Sequence, residues 1–147
     1  VESGVFIAET IRYLAERAIP VVGQVGLRPQ AALAEGGFKA KGRDDASRRR
    51  VIEEAVAADE AGAFAIVIEG VAEDLAAEIT AQVSAPTIGI GASPACDGQI
   101  LVTQDMLGLF DWTPRFVKRY ADLKTAMSEG VQAYADEVRA GKFPGPD

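Results

Sequence analysis

The chain has 147 residues, of which 48% are hydrophobic and 25% are charged, a balance typical of one soluble globular domain with a single core. Its 22 acidic and 15 basic residues give a net charge of −7, which argues against nucleic-acid or membrane-surface binding and favours small-molecule or protein partners. Because histidine is absent and only one cysteine is present, Ser-His-Asp and Cys-His catalysis, histidine metal sites and an intrachain disulfide are excluded.

The compartment is indicated by two further features. The single Cys96 fits a reducing compartment. No apolar run approaches the ~18 to 20 residues that span a bilayer, and the N-terminal segment lacks the layout of a signal peptide. We therefore expect a cytoplasmic protein without a membrane segment.

Since the sequence begins with Val1 and not with methionine, we also expect that Val1 is not the natural start of the protein.

Helices and strands are predicted to alternate along the first part of the chain. The segment "GVFIAETIRYLAERA" places Phe6, Ile11 and Leu14 at helical spacing, and "IPVVGQVGL" follows as a strand. The glycine-rich and charged segment "RPQAALAEGGFKAKGRDD" comes next, and loops of that length are usually functional or mobile. A helix over "DASRRRVIEEAVAADEAGA", with a Ser or Asp cap and a stop at Gly62, then leads into the strand "FAIVIEG".

The remaining elements continue this alternation. The segment "AEDLAAEITAQVS" predicts a helix, and "APTIGIGA" and "QILVTQD" predict two more strands. Further helices are predicted from about residue 114 to the glycine and proline near the end. The strands are continuous apolar runs, which is typical of a parallel sheet covered on both faces, with helices as right-handed crossovers.

Two architectures fit this pattern, a doubly wound open sheet and a (β/α)8 barrel. Both place ligands at the carboxyl ends of the strands. Those ends are predicted at Glu2, Gln24, Glu69, the segment "GIGAS", and Thr103 to Asp105. A carboxylate such as Glu69, at the end of a buried strand and followed by glycine, is either a solvated cap or a catalytic group.

Several motifs, in order, carry a resemblance to a known family. They are "PVVGQVGLRPQ", "GGFKAKGR", "EAGAFAIVIEGV", "PTIGIGASPACDGQILV", "DMLGL" and "PRFVKRYADL". Together they resemble the second half of the ketopantoate hydroxymethyltransferases, from Val1 to about Pro144. The resemblance implies a (β/α)8 TIM barrel of the phosphoenolpyruvate mutase and isocitrate lyase type. Residues 1–147 would then be the second half of a single barrel domain, from the end of strand four through strand eight, followed by C-terminal helices from about residue 114.

The resemblance also implies a reaction and its partners. Such enzymes transfer a hydroxymethyl group from 5,10-methylenetetrahydrofolate to the small 2-oxo acid 3-methyl-2-oxobutanoate, giving 2-dehydropantoate. They use Mg²⁺, which chelates the 2-oxo acid and stabilises the enolate formed on loss of the C3 proton. They assemble as large homo-oligomers, so a decamer-like assembly is expected here.

Three residues of this chain match functional positions of the family. Glu69 matches the catalytic base, and burial at a strand end would raise its pKa towards the useful range. Gln24 stands where the family usually has a histidine close to the substrate, so it is expected to bind substrate but not to transfer a proton. Glu2 matches a glutamate of the magnesium site, acting through water. The family's two magnesium-binding aspartates and its substrate lysine lie upstream of the match.

Two alternatives remain open from the sequence. One is a related magnesium-dependent lyase or mutase that acts on another 2-oxo acid through the same chemistry. The other is a non-catalytic homologue kept for its oligomeric packing, an idea prompted by Gln24. In the long loop, Lys39, Lys41 and Arg43 are either a solvated basic cluster or a site that attracts the oxo acid or the acidic tail of the folate.

Overall fold

The computed structural model describes residues 1–2, 4–31, 34 and 37–146. The chain forms two compact units, Val1–Ile100 and Leu101–Asp147. Part of the long segment "RPQAALAEGGFKAKGRDD", namely residues 32, 33, 35 and 36, lies outside the described residues, so the interpretation of that part as functional or mobile stays a prediction. Among the described helices, none combines the length and apolar character needed to cross a membrane.

The first unit is a parallel α/β structure. Its four strands are β1 (Val22–Gly26), β2 (Ala65–Glu69), β3 (Thr87–Ile90) and β4 (Gly98–Gln99). Its helices are α1 (Ala8–Ala15), α2 (Asp45–Glu60) and α3 (Glu73–Gln82), with short 3-10 turns at Val5–Ile7 and Pro29–Ala31. The predicted helices and the first three predicted strands are therefore confirmed.

Local chemistry explains the bounds of α2. The side chain of Asp44 accepts a hydrogen bond from the backbone N–H of Ser47 at 2.9 Å, which satisfies one of the first donors of the helix. At the other end, Gly62 takes a φ of +91°, a left-handed conformation that only glycine adopts readily. The glycine stop predicted from the sequence is present, and the cap is an aspartate, Asp44, one residue before the predicted segment.

The strands lie in sequential order, β1-β2-β3-β4, and every pair is parallel. Such a sequential order is consistent with a segment of a barrel, and the described strands contain no reversal of the kind that a doubly wound sheet has. The register pairs Gly26 with Glu69 and Glu69 with Ile90, so the carboxyl ends of β1, β2 and β3 lie along one edge. Glu2 forms an isolated parallel bridge with Gln24 and extends the same row.

One face of the sheet is deeply buried and the other is not. Val25, Ile66 and Ile68 are fully buried and join a core with residues of the helices, including Leu75 and Ile79. On the opposite face, where side chains alternate with these, Ala65 and Ile90 are buried, whereas several other described residues are only half-buried, namely Val22, Gln24, Val67, Glu69 and Ile88. The described helices contribute to the core on one face, so the prediction of a sheet covered on both faces is confirmed for that face and stays a prediction for the other.

The predicted strand "QILVTQD" is wrong over most of its length. Only Gly98–Gln99 is strand, and Thr103–Met106 forms the short helix α4. Ile100 and Val102 are each 46% exposed. The strand propensity of such residues is realised only where a pleated, half-buried surface accepts them. Thr103 and Asp105 consequently do not lie at the end of a strand.

The connection between β3 and β4, residues 91–97, contains no helix among its described residues, contrary to the predicted crossovers. Asp97 explains how a short connection suffices. Its carboxylate accepts hydrogen bonds from the backbone N–H of Thr87 at 2.8 Å and from Thr87 Oγ1 at 3.0 Å. The loop therefore returns along β3 to the first residue of that strand, and β4 can begin beside it.

The second unit contains α4 and the long helix α5 (Leu123–Arg139), which is capped by Asp122. The helices predicted from about residue 114 therefore start later, at Leu123. Residues 114–122 are not helical. Their backbone makes hydrogen bonds outside a helix, since the N–H of Tyr120 donates to Met106 O at 2.8 Å. Apolar side chains of α5 are exposed, including Met127, Val131, Tyr134 and Val138.

Candidate active site

The site is centred on Glu69, the last residue of β2, whose side chain is half-buried. Gln24, on the neighbouring strand and on the same face of the sheet, donates a hydrogen bond from Nε2 to Glu69 Oε2 at 2.5 Å. The same Nε2 lies 3.4 Å from the carbonyl oxygen of Leu27. Since a fixed amide donor holds one carboxylate oxygen, the orientation of the Glu69 carboxyl group is defined by β1.

The environment of Glu69 makes it a better base than a solvated glutamate. Burial raises the pKa of its carboxyl group, and the negative charge of Glu2 raises the pKa further. The first cause acts because the charged form loses hydration, and the second because two like charges repel. A carboxylate with a raised pKa holds an abstracted proton more strongly at neutral pH, which is what a general base requires.

Backbone pairing brings Glu2 into the same row. The N–H of Gln24 donates to Val1 O at 2.9 Å, and Glu2 pairs with Gln24 in the parallel bridge. The three residues predicted as site residues, Glu2, Gln24 and Glu69, are therefore brought to one edge of the sheet. Thr103 and Asp105, also predicted at strand ends, belong to α4 in the second unit instead.

Two glycines allow the chain to turn at this edge. Gly70 has a φ of +57°, and its N–H donates to Ile90 O at 2.9 Å. Gly26 has a φ of +95°, and a Cβ at this position would lie 2.4 Å from Glu69 O. Leu27 N–H donates to that same oxygen at 2.7 Å. The glycine after Glu69 therefore serves the turn that leaves the carboxylate at the sheet edge.

A magnesium ion prefers oxygen ligands, so the carboxylates of Glu2 and Glu69 and the amide oxygen of Gln24 are donors of the right kind. Glu2 and Glu69 are close enough for their negative charges to repel each other, and a cation bound between or beside them would be stabilised by both charges. Within the described ranges, however, no group of three or more acidic or cysteine side chains is arranged to hold a metal ion. The residues present fit such an ion in their chemistry, although they supply only part of a coordination shell.

The long loop returns to this edge through Lys41. The N–H of Lys41 donates to Gly70 O at 2.8 Å, and Lys41 forms a parallel bridge with Val71. Of the three basic residues singled out in the sequence, Lys41 is half-buried, whereas Lys39 and Arg43 are exposed. The loop therefore places one cationic residue, and not a cluster of three, in a half-buried position beside the strand that carries Glu69.

A cavity of about 260 Å³ lies beside the end of β1, where Gly26 contributes to its wall. Arg28, Lys41, Arg50 and Glu54 also line it. The contributions of Arg28, Arg50 and Glu54 were not predicted from the sequence. The run "SRRR" at the start of α2 is a basic signal, but helical periodicity alone does not show which arginine faces the end of β1.

Known proteins resemble this chain over nearly its whole length. The sequence profile of the family described as ketopantoate hydroxymethyltransferase matches residues 1–146. Proteins named 3-methyl-2-oxobutanoate hydroxymethyltransferase are 64% identical in Phenylobacterium zucineum, over 99% of this chain and 53% of the relative, and 67% identical in Maricaulis maris, over 98% and 52%. The protein of that name in Caulobacter vibrioides is 66% identical over 99% and 53%. The chain spans about half the length of the curated relatives it matches.

Proposed function

The chain belongs to the ketopantoate hydroxymethyltransferase family, and from that membership we propose that the protein transfers a hydroxymethyl group from 5,10-methylenetetrahydrofolate to 3-methyl-2-oxobutanoate, giving 2-dehydropantoate. The observation that carries the proposal is the half-buried Glu69 carboxylate, with a raised pKa and a hydrogen bond from Gln24 at 2.5 Å. The names of the relatives favour this transfer over a lyase or mutase reaction on another 2-oxo acid.

Glu69 acts as the general base that removes the C3 proton of the oxo acid. Gln24 engages Oε2, so the transfer is assigned to Oε1 of the same carboxyl group. A proton taken by Glu69 removes its negative charge, which relieves both the burial cost and the repulsion from Glu2. The environment that raises the pKa thus favours the step itself.

Gln24 is a positioning residue for Glu69. It lies at the edge of the sheet where we place the substrate. Its amide can donate and accept hydrogen bonds, but it does not change protonation near neutral pH. The base therefore keeps a constant partner throughout the reaction. This arrangement differs from that of relatives with histidine at the position, whose partner residue could itself titrate.

Glu2 is the residue of this chain that we assign to magnesium, through water molecules that the ion retains. Magnesium, when bound, supplies Lewis-acid polarisation of the 2-oxo group, which increases the acidity of the C3 proton. Glu2 also holds negative charge beside Glu69, and so keeps the pKa of the base high. Further ligands would come from parts of the protein outside this chain.

The architecture proposed for the whole protein is a (β/α)8 barrel of the phosphoenolpyruvate mutase and isocitrate lyase type. Val1–Glu2 would end its fourth strand and β1 to β4 would be strands five to eight, so that residues 1–147 form the second half of the domain. The sequential parallel order supports this assignment. Exposed apolar residues of α5, such as Val131 and Tyr134, support a homo-oligomer, and its decamer-like size is proposed from the family resemblance alone. The unpaired, buried Cys96 supports a cytoplasmic location.

The test uses the complete polypeptide with 3-methyl-2-oxobutanoate in deuterated solvent. Exchange of the C3 proton, followed by NMR, should require magnesium and proceed without folate, and addition of the folate donor should yield 2-dehydropantoate. Exchange without any product on addition of the donor would overturn the transferase in favour of a lyase or mutase. Loss of both activities in a folded protein would point to the non-catalytic homologue.

A further inference from the structure

The cavity beside β1, here called the basic cavity, combines cationic side chains from three separate parts of the first unit. Arg28 begins the long loop after β1, Lys41 lies later in that loop, and Arg50 belongs to α2. Two acidic residues, Asp44 and Glu54, also line the cavity. The formal charge of this lining is therefore positive, in a chain whose net charge is −7. A local reversal of sign at a concave surface attracts anionic ligands.

The two acidic residues have partners in the protein itself, and so do Arg28 and Lys41. The carboxylate of Asp44 caps α2 by accepting the N–H of Ser47 at 2.9 Å. Glu54 is only 7% exposed, and a carboxylate buried to that extent requires cationic or hydrogen-bonding neighbours. Arg50, in contrast, is exposed at the cavity. A ligand that approaches from solvent would therefore meet Arg50 before it meets Glu54.

The position of the basic cavity links it to Glu69. Gly26 lines the cavity and pairs with Glu69 across β1 and β2. Lys41 also lines it, and the backbone N–H of Lys41 donates to Gly70 O at 2.8 Å. The cavity therefore adjoins the carboxyl edge of the strands, where ligands of parallel α/β proteins bind. The Glu69 side chain lies on the face of the sheet opposite α2, so a ligand with its reactive part at Glu69 would reach the basic cavity by crossing this edge of the sheet.

The size of the cavity restricts what that second part can be. Its volume is about 260 Å³, whereas sites that enclose a whole drug-sized ligand measure about 300–1,000 Å³. The basic cavity therefore accommodates a terminal group and not an entire co-substrate. A small oxyanion, such as a carboxylate or a phosphate group, matches both this size and the positive lining.

We propose that the basic cavity binds the glutamyl carboxylates of the tetrahydrofolate donor and so discriminates between donors with and without an anionic tail. This inference rests on the proposed function, because it presumes a folate donor. Arg50 is the residue assigned to the carboxylates, with Arg28 and Lys41 supplying additional positive charge. A free oxyanion such as inorganic phosphate offers the same chemistry, so the experiment must separate the two sources.

The experiment measures binding of two donors by calorimetry to the complete protein. Tetrahydrofolate carries a glutamate, and tetrahydropteroate lacks it. Arg50→Ala should weaken tetrahydrofolate binding about 5- to 10-fold, the loss expected for one charge-assisted contact at a partly exposed site. The same variant should bind tetrahydropteroate as the wild type does. Arg50→Gln, which keeps most of the side-chain stem, should behave in the same way.

Arg49→Ala is the matched control. Arg49 is the adjacent arginine on α2, is exposed, and lies outside the cavity lining formed by the described residues. This variant removes the same charge from the chain, so equal weakening in Arg49→Ala and Arg50→Ala would show a general charge effect and overturn the proposal. Unchanged tetrahydrofolate binding in Arg50→Ala would overturn it as well.

Inorganic phosphate separates the two sources of the anion. If the cavity holds the glutamyl tail, phosphate should compete with tetrahydrofolate and not with tetrahydropteroate. If phosphate binding is lost in Arg50→Ala while donor discrimination is unchanged, the cavity is a site for a free anion and the proposal fails. Wild-type exchange of the C3 proton without folate tests the proposed function separately, so failure of one is distinguishable from failure of the other.

Discussion

Replacing Glu69 by glutamine removes a charge with little change of shape. The amide oxygen of glutamine can accept the hydrogen bond that Gln24 donates to Oε2 at 2.5 Å, so the local geometry should persist. The substituted amide cannot accept a proton near neutral pH. Glu69→Gln therefore separates the role of the residue as a base from its role in the packing of the strand edge.

The expected loss follows from the role of a positioned base. General bases contribute about 10²- to 10⁴-fold to rate, which corresponds to about 2.7 to 5.4 kcal/mol of activation free energy. In the complete enzyme, exchange of the C3 proton of 3-methyl-2-oxobutanoate with deuterated solvent should slow by that factor in Glu69→Gln. NMR follows the exchange without folate, so the proton-transfer step is observed apart from hydroxymethyl transfer.

Stability should move in the opposite direction from activity. Because the pKa of Glu69 is raised in the folded state, the folded protein binds the proton more tightly than the unfolded chain does. The stability associated with this group is therefore largest in acid and is lost as pH rises through the raised pKa. At neutral pH Glu69→Gln should melt at the wild-type temperature or above it.

The control is Glu73→Gln, which makes the same chemical change at an exposed position in the first turn of α3. It should exchange the C3 proton at the wild-type rate. Exchange at the wild-type rate in Glu69→Gln would remove Glu69 from the mechanism. A clear drop in its melting temperature would instead show that the carboxylate is a structural group, and the lost rate could not be assigned to the base.

Four further predictions concern the surroundings of the site and the fold. Glu2→Gln should shift the acid limb of the exchange rate to lower pH, because one of the two causes that raise the pKa of Glu69 is removed. Gln24→Ala should slow exchange, since the carboxylate loses the donor that orients it, whereas Gln24→His should retain or increase the rate. Gly26→Ala should lower the free energy of unfolding in urea by about 2 to 4 kcal/mol, because φ is +95° and the new Cβ would lie 2.4 Å from Glu69 O; a loss below 0.5 kcal/mol would contradict the close approach. Asp97→Asn should lower the melting temperature at neutral pH and converge with the wild type in strong acid, because hydrogen bonds from Thr87 hold the pKa of Asp97 below its usual range and their contribution is lost as pH falls through that lowered value.

The sequence by itself determined the features that depend on neighbouring residues. Helical spacing, the expected Ser or Asp cap and the Gly62 stop located α2. Continuous apolar runs between turn residues located the first three strands, and the motifs identified the family. The position of Glu69 at the end of β2 followed from the same local pattern. These inferences succeed because capping, periodicity and glycine conformations act within a few residues of the chain.

Tertiary structure decided which of these residues meet. Gln24 and Glu69 are 45 positions apart, and only the register of β1 with β2 places their side chains on one face within hydrogen-bonding distance. The raised pKa of Glu69 depends likewise on burial and on Glu2, which lies far away in the sequence. The short β4 and the late start of α5 at Leu123 also depended on tertiary context. Strand and helix propensities are weak. They are overridden by the partners that side chains and backbone groups find, and those partners are fixed only when distant segments pack.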